Sequence, residues 1–81
     1  MSAKDKFPLY AKVRVASHLT YYPTCGMVGY VSEHDLDGDG VRVEFDPQEY
    51  AAAIAPWPKT PRYHGNSPWL WYAMEDSLEL L

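Results

Sequence analysis

The feature that most constrains this chain is strict alternation. Leu9-Tyr10-Ala11-Lys12-Val13-Arg14-Val15 and Val41-Arg42-Val43-Glu44-Phe45 set every second side chain on an apolar face. Only an extended backbone puts residues i and i+2 on the same side, so both runs read as half-buried β-strands. Leu9, Ala11, Val13 and Val15 face inward in the first, Val41, Val43 and Phe45 in the other. Gly26 to Ser32 reads as a strand between them, its glycines marking a bulge or a close backbone approach. His34 to Gly40 holds two Asp-Gly pairs, which suit a hairpin turn.

Downstream the pattern changes. Asp46 to Ala55 reads as a short helix, with Asp46 as N-cap and Pro47 at the first helical position. Four prolines then interrupt residues 56–68, a long loop. Trp69 to Met74 is a strand with apolar residues on both faces, and Trp71 is the tryptophan expected in the core. Glu75-Asp76-Ser77 makes a tight turn into a short closing strand, Leu78 to Leu81. The expected fold is mainly β: a small barrel of four to five antiparallel strands with one short helix and a long proline-rich loop. Residues 1–81 form one domain, in which 7–46 supply the first strands and hairpin, 47–68 the helix and loop, and 69–81 the closing strands.

Eighty-one residues leave room for only a thin core. An apolar fraction of 47% excludes a disordered tail. A single cysteine cannot form an internal disulfide, which fits a reducing, cytoplasmic setting. No apolar run approaches the roughly 20 residues of a membrane span. No apolar segment of signal-peptide type follows the opening Met1 to Lys6. A net charge of −4 disfavours nonspecific binding to DNA, which needs clustered cations.

The run from Lys12 to Val15, the GMVGYV segment (Gly26 to Val31), the VRVEF segment (Val41 to Phe45) and the ending from Trp71 to Leu80 together resemble the SH3-like small barrels of bacterial and phage proteins. That resemblance implies a tryptophan-bearing strand running through a one-turn 3₁₀ segment into the last strand. The Gly-Val-Gly run is also loosely similar to the KOW motif, which implies a nucleic-acid-binding alternative. Proline-rich peptide binding is not implied, because Leu9-Tyr10 lacks the acidic partner of eukaryotic SH3 domains.

The sharpest local motif is DLDGDGVRVEFD, residues 35–46, which resembles a calcium-binding EF-hand loop. Asp35, Asp37 and Asp39 alternate as oxygen donors and Gly40 is sixth, as calcium loops require. Arg42 and the short Asp46 depart from that pattern, and a strand rather than a helix leads in. Cys25 and the scattered His18, His34 and His64 lack the paired spacing of a zinc site. No phosphate loop or nucleophile elbow is present, so a non-enzymatic role without a cofactor is expected, calcium being the one candidate.

Charge is segregated. Residues 33–49 contain seven acids and only Arg42 in opposition, a local charge of −6. The expectation is a small accessory or regulatory protein that binds another protein. Glu33, Asp35, Asp37 and Asp39 would act with the aromatic residues Trp57, Tyr63, Trp69 and Tyr72, since aromatic side chains anchor interfaces. Such an acidic, aromatic surface suits a phage-type inhibitor docking on a nucleic-acid-handling machine. A free sheet edge is also compatible with a homodimer.

Overall fold

The computed structural model describes residues 3–59 and 67–81. Strands β1 (Lys12–Val15), β2 (Val28–His34), β3 (Val41–Phe45), β4 (Trp69–Tyr72) and β5 (Leu78–Leu80) form one antiparallel sheet in the order β4-β3-β2-β1-β5. A four-residue helix, α1 (Ala3–Lys6), precedes the sheet, and α2 (Pro47–Ile54) follows β3. A single 3₁₀ turn, Glu75–Ser77, leads into β5. The expected mainly-β architecture with a short helix is therefore present. β4 and β5 lie at opposite ends of the strand order, so the expected closure into a barrel is not present, and among the described residues each keeps an unpaired edge.

Alternation builds the core directly. Val13, Val15, Val31, Val41 and Val43 are fully buried, and Phe45, Leu70, Tyr72 and Leu78 nearly so. α2 adds Tyr50 and Ile54, four residues apart on one helical face. The Tyr50 ring stacks on Phe45 with centroids 5.9 Å apart. Asp46 caps α2 as expected, its Oδ1 accepting from the amides of Gln48 (3.0 Å) and Glu49 (3.1 Å). Gly29 is the close approach anticipated in β2: an added Cβ would collide with the Glu44 carbonyl oxygen and crowd Val43.

The bulge lies elsewhere, at Ser32. Val31 pairs with Val43, but Glu33 already pairs with Arg42 and His34 with Val41. Simple alternation from Val31 would turn Glu33 inward and His34 outward. The extra residue reverses both, because one inserted residue shifts every later side chain to the other face. The half-buried His34 then bonds through Nε2 to the Phe7 carbonyl at 2.8 Å.

Three sequence expectations need correction. β1 begins at Lys12, and Leu9 is 48% exposed rather than inward. Tyr10 breaks the alternation by adopting φ 67°, a left-handed conformation that costs a non-glycine residue about 1–2 kcal/mol. In β4 the inward residues are Leu70 and Tyr72; Trp71 points out and is 41% exposed. The pairing of Val43 with Leu70 decides this, since it puts Leu70 on the valine face.

Among the described residues the largest fully buried side chain is Phe7, which the alternation did not single out. α1 sets Ala3 and Phe7 beside the core, and both have no exposure. Phe7→Ala should cost about 3–5 kcal/mol of stability, the usual loss for a buried aromatic. It should lower the urea midpoint without changing the slope of the transition. A loss below about 1 kcal/mol would mean that the ring is not part of the packed core.

Candidate functional site

The outward face of the sheet follows from the same register. One cross-strand row runs Lys12, Tyr30, Glu44, Trp69, and the next runs Glu33, Arg42, Trp71. Arg42 organises the face. Its Nη1 lies 3.2 Å from Glu33 Oε2 and its Nη2 3.4 Å from Glu44 Oε1. Its Nε donates to Ser32 Oγ at 2.9 Å. Its guanidinium sits 5.1 Å from the centroid of the Trp69 ring, a cation–π distance. Trp69 meets Trp71 edge-on at 6.4 Å. The planar guanidinium thus fixes two acids and, through Trp69, the outward tryptophan pair.

These contacts redistribute the acidic charge. Glu33 and Glu44 are matched by Arg42, and Asp46 is committed to the helix cap. Asp35 is half-buried, and its Oδ1 accepts from the Asp37 amide at 3.1 Å, an Asx turn. Asp37 and Asp39 are exposed and have no ion pair among the described residues. One guanidinium against two carboxylates still leaves one negative charge on the strands, so the larger share of the outward negative charge of this end comes from the β2–β3 turn.

The turn lies against β4. An added Cβ on Gly40 would stand 3.4 Å from the Tyr72 carbonyl oxygen and 3.7 Å from the Trp71 ring. Trp71 is thus next to the acidic turn, and Leu36 projects from the tip at 90% exposure. Sequence reasoning had passed over Leu36, although a leucine between aspartates and glycines has no neighbours there to bury it. It had also assigned Trp71 to the core.

The remaining predicted residues are dispersed. Trp69 is half-buried and belongs to the face just described. Tyr72 is interior, its hydroxyl 2.6 Å from Thr24 Oγ1, so it is not a surface anchor. Trp57 is half-buried beyond α2, positioned by the hydrogen bond that its backbone N–H donates to the Ile54 carbonyl at 2.9 Å. Tyr63, together with His64, lies outside the described residues. Asp35, Asp37 and Asp39 do not converge, and among the described residues no three His, Cys, Asp or Glu side chains are placed to hold one metal ion. Cys25 Sγ faces the carbonyl oxygens of Ala16 and Ser17 at 3.7 and 3.4 Å.

A separate groove of about 590 Å³ opens at the far end of the same face, walled by Lys12, Tyr30, Glu44, Pro47 and Pro68. None of the carboxylates expected from sequence to bind a partner or calcium at the turn lines it, although Phe45, Asp46 and Pro47 do. Lys12 stands directly opposite Tyr30, which gives the basic first strand an aromatic neighbour. Among the described residues no helix is long and apolar enough to cross a membrane.

The Tyr30 hydroxyl donates to Glu44 Oε2 at 2.7 Å. That bond, reinforced by the negative charge of Glu44, raises the phenol above its ordinary value of 10.0. A raised folded value means the contribution to stability is complete below pH 10 and is lost as pH climbs through the folded transition. Glu44→Gln should lower the Tyr30 titration, followed by phenolate absorbance or ring NMR shifts. An unchanged titration would show that the bond does not form in solution.

Comparison of the chain with family models, with curated proteins and with solved structures finds no match.

Proposed function

We propose that this protein is a small non-enzymatic binding module that docks on a basic surface of another protein. The contact is the β2–β3 turn with the adjoining outward tryptophan. The observation that carries this reading is that the exposed Trp71 lies beside Gly40, at the base of the turn that carries the exposed Leu36, Asp37 and Asp39. An exposed tryptophan beside uncompensated charge gives a partner both buried area and steering, and aromatic anchors carry most interface energy. Carboxylates on a turn also meet the same cationic groups that phosphates do. A basic surface that elsewhere holds nucleic acid is therefore the kind of partner that fits. The partner-binding set is accordingly Trp71, Leu36, Asp37 and Asp39, with Glu33, Arg42 and Trp69 holding the face in shape.

The test uses a basic peptide of alternating lysine and leucine as the probe, titrated by calorimetry. Trp71→Ala should weaken binding by about 2 kcal/mol, roughly 30-fold, as for an interface anchor. Converting Asp37 and Asp39 together to Asn should weaken it and flatten its dependence on salt. No binding by the native chain, or equal binding by all three proteins, would contradict the reading.

A further inference from the structure

The acidic turn is not free-standing. The amide of Lys4 donates to the Asp39 carbonyl at 3.0 Å, and its ammonium donates to the Asp35 carbonyl at 2.9 Å. One residue of α1 therefore ties both limbs of the turn. The segment is held at its other end by His34, bonded to the Phe7 carbonyl, and by the buried Phe7 ring. The Ala3 amide also reaches the Ala73 carbonyl, at 3.4 Å, beyond the end of β4. Residues 3–9 thus cross from β4 to the turn and back to β2, joining the elements that form the proposed contact.

Two features work against this closed arrangement. Tyr10, where the segment enters β1, has φ 67° while its own side chain is 76% exposed. In the 3₁₀ turn that α1 packs against, Glu75 Oε2 is buried without a hydrogen-bond partner among the described residues. A left-handed non-glycine hinge and an unsatisfied buried oxygen both raise the free energy of the folded arrangement. Opening the segment exposes the Phe7 ring and breaks the Lys4, Ala3 and His34 bonds, so it is a sub-global event rather than fraying of a terminus.

We propose that residues 3–9 form a strap that opens and closes as one unit with the β2–β3 turn, and that strap seating regulates docking. The seated strap holds the turn in one shape, so a partner meets Asp37, Asp39 and Leu36 already ordered. Lifting the strap releases Asp35 and Asp39, and the partner must then order the turn itself, which weakens binding. This consequence rests on the docking reading; the coupling of strap and turn does not.

The experiment is amide hydrogen exchange on the full chain without partner, in the native protein and in Lys4→Met. The reporters are Phe7, whose amide bonds to Ala3, and Asp35, whose amide bonds to Gly40. Val15, bonded to Met27, reports on the sheet. The substitution should speed exchange at Phe7 and Asp35 together by about fivefold, the shift produced by losing one hydrogen bond. Val15 should be unaffected. Acceleration at Phe7 alone would overturn the coupling, and equal acceleration at all three sites would show that the strap is no separate unit. Unchanged exchange at both Phe7 and Asp35 would also overturn the proposal. Because no partner is present, none of these results depends on the docking reading. If the coupling holds and Lys4→Met binds the lysine–leucine peptide as tightly as the native chain, regulation of docking is overturned while the strap stands.

Discussion

The structure depends on the two-faced alternation of β3. Val41, Val43 and Phe45 enter the core, while Arg42 and Glu44 leave it, so a slip of one residue would exchange the two sets. A core this small has no second layer to absorb such an error. β3 lies between β2 and β4 and fixes which side of each faces inward. The pairing of Val43 with Leu70 sends Trp69 and Trp71 outward, and the bulge at Ser32 sends Glu33 outward beside Arg42. The outer face is thus a direct consequence of the inner one.

Arg42 converts that register into a shaped surface. A single guanidinium binds two carboxylates, a hydroxyl and an indole face, and its side chain keeps 25% exposure. Partial burial weakens screening, so these contacts hold geometry better than the exposed pair between Arg14 and Glu79 at 3.8 Å. The cost falls on charge: two acids that look available in the sequence share one cation. Asp37 and Asp39 remain exposed at the turn, where the strap also attaches.

Local sequence signals were sufficient for β3, for α2 with its Asp46 cap, and for a tight turn before β5, whose 3₁₀ form the resemblance to small barrels implied. Each depends on neighbours within a few positions. The failures have physical causes of a different kind. Trp69-Leu70-Trp71-Tyr72 is apolar on both sides, and only pairing with β3 chooses between the sides. The left-handed Tyr10 ends an alternation that otherwise continues through Leu9. A four-residue helix has no period to detect, so α1 and the buried Phe7 were invisible until the fold brought them under the turn. At the candidate site, the acidic hairpin was legible but the pairing of Glu33 and Glu44 with Arg42 was not, because cross-strand contacts at the bulge carry no sequence spacing. Tyr72 is buried and Trp71 exposed, the reverse of the expectation, for the same reason that β4 was ambiguous.

The most direct test of the central claim is amide and indole NMR mapping of the native chain during titration with the basic lysine–leucine peptide. The account predicts shifts centred on the Trp71 indole N–H and on the amides of Leu36, Asp37 and Asp39, with α2 unaffected. Shifts centred instead on α2 or on the groove at Lys12 and Pro47, with Trp71 and the turn silent, would contradict it.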